Sequence, residues 1–324
     1  MSDDPMDERV DHWDPVADPT TVALLADTLA STAGAPEVRR VHPLAPWTTL
    51  KVGGPAALLV EPADHDELAV VLRALADTPA NAVPMLVMGR GSNLLISDDG
   101  FPGIVVRLGA GFAAIVRDGL SVTAGGAASM PVLATFTANE GLAGLEFAAG
   151  VPASVGGSVR MNAGAHGGEV ADHLVVAELA TADGVRQVPR ADLGLSYRHS
   201  TLPAGAVVTG ATWELVAEDP TAVRARLDEV RAWRRATQPI GERTCGSVFT
   251  NPEGDSAGRL IEAAGLKGLR VGGAQVSAMH ANFVETDVQA RAADVLELVT
   301  TVQERVRAAG GPVMRPEVRV VGHF

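Results

Sequence analysis

A small hydroxyl in the setting of a reactive group, Ser247, lies in the stretch Cys245-Gly246-Ser247-Val248-Phe249-Thr250-Asn251-Pro252. The preceding glycine lets a backbone or a ligand approach closely, Val248, Phe249 and Thr250 are strand formers, and Pro252 forces Asn251 out of helical conformation. A helix should follow, because Ser256 can cap the apolar run Ala257, Leu260, Ile261 and Ala264, and Gly265 stops it. A hydroxyl at such a loop-to-helix junction suits contact with an anion or delivery of a proton. Gly-Ser pairs also form ordinary turns, so this stretch alone leaves its role open.

Two glycine-rich stretches could bind anions through backbone N–H groups. The first, Gly89-Arg90-Gly91-Ser92-Asn93-Leu94, follows an expected strand at residues 85–88. It fails as a dinucleotide fingerprint: Leu94 occupies the third glycine position, and Asp98-Asp99-Gly100 reads as a turn where a helix should begin. What remains is either a nest of free N–H groups, with Ser92 and Asn93 as added donors, or an ordinary tight connection. The second stretch is Gly150-Val151-Pro152-Ala153-Ser154-Val155-Gly156-Gly157-Ser158-Val159-Arg160-Met161-Asn162-Ala163-Gly164-Ala165-His166-Gly167. Five glycines in eighteen residues weaken both helix and strand. The segment is therefore expected to stay out of ordinary core and to let backbone approach a large flat or phosphorylated ligand. Cations are available in Arg198, between Tyr197 and Ser200, and in Arg234 and Arg235 at the end of a helix. The latter pair suits the helix dipole, or could hold a pyrophosphate across the following Gln238-Pro239.

The elements that must carry these groups follow from periodicity. A helix at 21–33, a strand at 56–60, a helix with the Asp64/Glu67 capping box and the stripe Leu68, Val71, Leu72 and Leu75, and strands at 85–88 and 104–108 form an α/β unit. A hairpin at Asp118-Gly119, a strand at 121–124, a helix at 129–139 and strands at 174–180, 185–188 and 207–215 make a more β-rich region. A helix at 220–236, with Leu227, Val230 and Trp233 inward, opens a third portion. Strands at 269–276 and 282–285, a helix at 287–308 and a last strand within 315–322 complete it. The expected division is an acidic disordered tail at 1–19, then regions 20–108, 109–218 and 219–324.

The net charge of −13 argues against the broad basic surface that nucleic acid requires, while leaving room for a local basic pocket. One cysteine cannot form an internal disulfide, no Cys/His cluster has metal spacing, and no metal is expected. Seven acids against one base in the first twenty residues reverse a signal peptide's basic start, and no long apolar run suggests membrane insertion. A cytoplasmic protein is expected.

Taken in order, Thr48-Thr49 with Gly53-Gly54, the loop from Gly89, the segment from Pro152 to Gly167, Tyr197-Arg198-His199-Ser200, Gln238-Pro239, the Ser247 stretch, Gly272-Gly273, His280-Ala281-Asn282-Phe283 and Pro316-Glu317-Val318-Arg319 closely resemble the UDP-N-acetylenolpyruvoylglucosamine reductase family. The resemblance runs from Trp47 to Gly322. It implies an α+β fold: a two-subdomain FAD-binding region of the vanillyl-alcohol-oxidase (PCMH) type, followed by an α/β substrate-binding domain. It also implies NADPH as reductant, UDP-N-acetylglucosamine enolpyruvate as small-molecule partner, and a place in bacterial cell-wall synthesis. By motif, Ser247 would protonate the substrate, and Arg198 and Glu317 would flank its carboxylate, with Glu317 protonated or sharing a hydrogen bond. Cofactor contacts are expected from Gly89, Arg90, Gly91, Ser92, Asn93, Leu94, Pro152, Ser154, Gly156, Gly157, Asn162 and Gly164. Substrate contacts are expected from Tyr197, Arg235, Gln238, Asn251 and His280.

Two departures from the family pattern stand out. No tyrosine follows Tyr197, which resembles the subclass with a short connection there; Leu202 and Glu285-Thr286 replace residues commoner in the family. The competing readings are a flavin-linked oxidase of the same fold acting on another alcohol or hydroxy acid, and a catalytically silent flavin or nucleotide-sugar binder.

Overall fold

In the computed structural model, which describes residues 12–203 and 205–324, the first α/β unit is a four-stranded sheet. Its order is Val38–Pro43, Pro55–Val60, Phe101–Val106, Met85–Val87. The first pair is antiparallel and the rest parallel, as expected where a helix crosses between strands. That crossover helix is His65–Ala76; Asp64 accepts from the Glu67 amide, and Leu68, Val71 and Leu72 are buried. The Glu67 carboxylate reaches the Ala63 N–H instead of closing the capping box on Asp64.

The second sheet has five antiparallel strands in the order Gly184–Pro189, Leu174–Thr181, Val207–Glu214, Ser121–Gly125, Ile115–Asp118. Helices Met130–Asn139 and Val155–Arg160 cover it, around fully buried Trp213, whose indole N–H donates to the Val170 carbonyl. The third sheet, in the order Thr244–Ser247, Phe283–Thr286, Ala274–Val276, Arg270–Val271, is antiparallel and packs with helices Ala257–Ala263 and Ala292–Ala308.

Several sequence expectations are corrected. Residues 12–18 of the expected disordered tail are ordered: His12–Trp13 is a strand, and the Asp18 carboxylate accepts from Thr20 and Thr21 to start helix Pro19–Ser31; residues 1–11 lie outside the described residues. Helix Pro220–Thr237 buries Val223 and Leu227 in the core of the second sheet, so it packs with the region that precedes it. Trp233, expected inward, is exposed and sits edge-on to His166, because the helix buries a narrow stripe that ends before it.

The run 269–276 is a hairpin, Arg270–Val271 with Ala274–Val276, rather than one strand. Gly272 takes φ +49°, and a Cβ there would strike the Asp294 carboxylate. The last helix begins at Ala292, not Asp287, where the Asp98 carboxylate accepts from the Ala292 and Ala293 amides across the fold. Part of the glycine-rich segment does pack as core: Val155–Arg160 is helical, capped by Ser154, with Val155 and Val159 fully buried.

The last strand, Arg319–Val321, leaves the third sheet. It lies between His12–Trp13 and Leu94–Ile96 in an all-parallel three-stranded sheet. One further clamp bears on function. Asn282 is buried, and its side chain accepts from the Phe249 N–H at 2.9 Å and donates to the Phe249 carbonyl at 2.8 Å. Asn282→Ala would orphan both buried backbone groups, and a stability loss of about 1–3 kcal/mol is expected from denaturant midpoints at unchanged slope.

Candidate functional site

The sheets enclose a cavity of about 930 Å³, at the upper end of the range for small-molecule and cofactor sites. The three-stranded parallel sheet forms one wall. In its register Arg319 faces Leu94 and Val321 faces Ile96, so alternate residues share a face. Leu94, Arg319 and Val321 line the cavity, while Leu95 and Val320 on the other face enter the core of the third region.

Residues 89–93 border this wall. Among the described residues their backbone N–H groups donate to no protein acceptor, which leaves a concave run of donors open to an anion. The Asn93 side chain, expected as a further ligand donor, instead donates to the Glu317 carbonyl at 3.0 Å, and the Asn93 carbonyl accepts from the Arg319 amide. The loop is thereby tied to the strand that carries Glu317.

The glycine-rich segment also lines the cavity with Pro152, Ser154, Gly156, Gly157 and Gly164, and Ser154 lies directly against Gly89 of the loop at 89–93. Its glycines differ in purpose. A Cβ on Gly156 would come within 2.9 Å of the Val208 carbonyl, and the Gly156 amide is taken by the Gly126 carbonyl; that glycine serves protein packing. A Cβ on Gly157 would meet no protein atom closer than Ser154 Oγ at 3.4 Å, so bare backbone faces the cavity there without a packing reason. Open donors at 89–93 and an unfilled Cβ position at Gly157 fit a large phosphorylated cofactor such as FAD.

Ser247 ends strand Thr244–Ser247, where the register against Phe283–Thr286 shifts, and Gly246 takes φ +76°. Only glycine adopts that conformation without strain, and the irregularity brings Ser247 to the cavity. Among the described residues no protein group hydrogen-bonds its hydroxyl. Neighbouring Cys245 is buried, and desolvation pushes its thiol up to about 12, so it stays a neutral spectator.

Arg198 and Glu317 meet across the cavity, Nε to Oε1 at 2.9 Å, both side chains less than one-fifth exposed. The contact lies off the N–H axis, so Nε–H is left without a hydrogen-bond partner; the close approach is an ion pair rather than an aligned hydrogen bond. A terminal guanidinium nitrogen donates to the Gly164 carbonyl at 2.8 Å, and the backbone of Arg198 sits at φ +56°, a conformation that L residues adopt at a cost. Burial pushes the Glu317 carboxyl up, with Arg198 pulling partly the other way.

The cavity also collects Arg90, Arg107, Arg160, Arg234 and Arg319, against Glu242 and Glu317, in a chain whose net charge is −13. Burial lowers the pKa of Arg160 and Arg234, and for Arg160 nearby Arg319 adds to the effect. Arg234 holds the Ala149 carbonyl and the Gln238 side-chain oxygen, each at 2.9 Å. Arg90 is exposed and Arg107 is paired with Glu61 at 2.9 Å, whereas the half-buried guanidinium groups of Arg160 and Arg234 meet no carboxylate among the described residues and suit anionic ligands.

Five expected ligand residues do not line the cavity. Asn162 is fully buried and structural, donating to the Ser196 carbonyl and accepting from the Ala171 amide. Arg235 is exposed while Arg234 takes the cavity side, which the helix period would have shown: 234 follows buried Leu227 by seven residues. His280 is turned to Asn282, its Nδ1 accepting that amide and its ring against Phe283, and burial pushes its pKa down. Asn251 accepts from the Ala257 amide, and the Tyr197 hydroxyl accepts from the Asn251 amide at 3.4 Å.

Residues 56–188 match the family model described as FAD binding domain. Together with the cavity, this places the chain among FAD-dependent oxidoreductases with the two-subdomain PCMH-type fold. Residues 238–321 match the model described as UDP-N-acetylenolpyruvoylglucosamine reductase, C-terminal domain. Proteins of that name from Anaeromyxobacter sp. (strain Fw109-5) and Sphingopyxis alaskensis are 47% and 44% identical to this chain. The matches cover 89% and 91% of this chain and 90% and 99% of theirs. The crystal structure of UDP-N-acetylenolpyruvylglucosamine reductase from Thermus caldophilus superimposes with a TM-score of 0.77 at 40% identity, over 88% of this chain and 99% of that one. The chain belongs to the UDP-N-acetylenolpyruvoylglucosamine reductase family.

Two outcomes test the site's construction. Gly157→Ala should leave the cofactor-free protein as stable or slightly more so, by up to about 1 kcal/mol for a helical glycine, yet weaken FAD binding, whereas Gly156→Ala should destabilise the protein itself. FAD titration combined with denaturation of both variants separates the effects. A carboxyl held above its unfolded value binds protons more tightly in the folded state. The stability from Glu317 is therefore full below its ordinary range near pH 4.5 and is lost as pH rises through the raised folded value. Denaturant midpoints of wild type minus Glu317→Gln should fall over that window and level off above it.

Proposed function

We infer that the chain catalyses the NADPH-dependent reduction of UDP-N-acetylglucosamine enolpyruvate to UDP-N-acetylmuramate, with FAD as its cofactor, in the supply of peptidoglycan precursor. The observation that carries the residue roles is the convergence of one unbonded hydroxyl, Ser247, and one buried cation–carboxyl pair, Arg198 with Glu317, on a single cavity. When bound, FAD supplies the hydride relay from NADPH to C3 of the enolpyruvyl group.

The protein's own task is the charge that develops at C2 and on the adjacent carboxylate. Arg198 faces that charge as a fixed cation whose Nε–H is free for an oxygen. Glu317, held toward its protonated form by burial, can share a proton with the substrate carboxylate instead of repelling it. Ser247 donates its hydroxyl proton to C2, which completes net addition of hydride and proton across the double bond. Arg234, oriented by Gln238, is positioned for the substrate's diphosphate.

A hydride-abstracting oxidase would need a base at the position of Ser247, which speaks for reduction. Recognition of the substrate needs no nucleic acid surface, and among the described residues no helix is long and apolar enough to cross a membrane. A cytoplasmic location follows from this reading, since the nucleotide sugar and NADPH are both soluble metabolites of that compartment.

Ser247→Ala separates the half-reactions. Anaerobic bleaching of the flavin by NADPH should keep its rate, while reoxidation by UDP-N-acetylglucosamine enolpyruvate should slow by about 10²-fold or more, with part recovered in Ser247→Cys. Equal slowing of both half-reactions in stopped flow would remove Ser247 from the role of proton donor.

A further inference from the structure

The residues before the matched FAD-binding region contribute to the cavity. The outermost strand of its parallel wall is His12–Trp13, in register with Val320 and Val321. Registered neighbours in a parallel sheet share a face, so Trp13 continues the row of Val321 and Ile96, and with Leu94, Arg319 and Val321 it lines the cavity. His12 falls on the opposite face, with Val320.

The strand is fastened at both residues and beyond. The Gly322 amide donates to the Trp13 carbonyl at 2.9 Å, His12 Nε2 contacts the Gly322 carbonyl, and the Asp14 carboxylate lies 3.1 Å from His323 Nδ1. The indole packs on Phe101 at a centroid distance of 5.4 Å, among Leu94, Met88 and Val321. Trp13 thus stands on the wall that runs into residues 89–93, whose open N–H groups suit a phosphate.

We propose that Trp13 is a cofactor-binding residue, an apolar wall for a ring system of FAD beside the phosphate nest, and that FAD occupancy and the docking of strand His12–Trp13 onto Arg319–Val321 stabilise each other. The inference rests on the assignment of the cavity to FAD. By linkage, whatever the docked strand adds to FAD affinity, FAD returns to the docked strand. Docking also braces the strand that carries Arg319 and follows Glu317.

The test uses the full-length chain, stripped of FAD and titrated with FAD by flavin fluorescence, with hydrogen exchange at the Gly322 amide measured with and without FAD. Trp13→Ala should raise the Kd for FAD roughly tenfold or more, Trp13→Phe should recover at least half of that on a logarithmic scale, and FAD should slow exchange at Gly322 in the wild type. An unchanged Kd in Trp13→Ala overturns the inference, whether or not the variant is less stable. If Trp13→Ala does not fold, the wild-type exchange and Trp13→Phe decide: FAD-independent exchange at Gly322 overturns it. Failure of the wild type itself to take up FAD would instead overturn the assignment of the cavity.

Discussion

The parallel pairing of Arg319–Val321 with Leu94–Ile96 is the interaction on which the rest of the site depends. It brings the end of the chain back to the first α/β unit and turns one sheet face to the cavity and the other to the third core. Glu317 lies two residues before this strand, and its amide donates to the Val248 carbonyl, one residue past Ser247. Glu317 and Ser247 are tied together within the third region by that bond and by the bridge of Phe249 with Pro316, and the inserted strand sets the pair beside the loop at residues 89–93 of the first.

Electrostatics in the cavity run against those of the chain. An acidic protein concentrates guanidinium groups where few carboxylates answer them, and burial makes Arg160 and Arg234 more costly to leave unpaired. Arg107 is paired with Glu61, and the pair of Arg198 with Glu317 is held short of an aligned hydrogen bond. Arg198 itself sits at a positive φ, a conformation costly for an L residue.

Side-chain amides do much of the positioning. Asn93 ties the anion loop to the backbone of Glu317, Asn282 grips Phe249 near Ser247, and Asn162 ties the glycine-rich segment to the backbone just before Tyr197-Arg198. Each satisfies backbone groups that irregular chain would otherwise leave unpaired, and so allows loops to be rigid without helix or strand.

Sequence by itself determined the elements and the chemical inventory. The caps at Asp64 and Ser256, the hairpin at Gly119 and the absence of a dinucleotide helix after Leu94 were legible because local spacing and backbone preference act over a few residues, whereas Ser247, Arg198 and Glu317, which line one cavity, were grouped by the family resemblance. Tertiary structure decided which side of each element faces the cavity and what each amide is used for. Asn162 as an internal brace, the seating of the helix inside the glycine-rich segment, and the ordered strand at His12–Trp13 all depend on partners far along the chain. A glycine-rich sequence signals freedom but not its use: at Gly156 the neighbouring backbone fills the space a Cβ would need, and at Gly157 nothing in the protein does. Only packing against Val208 and Gly126, distant in sequence, distinguishes these two adjacent glycines.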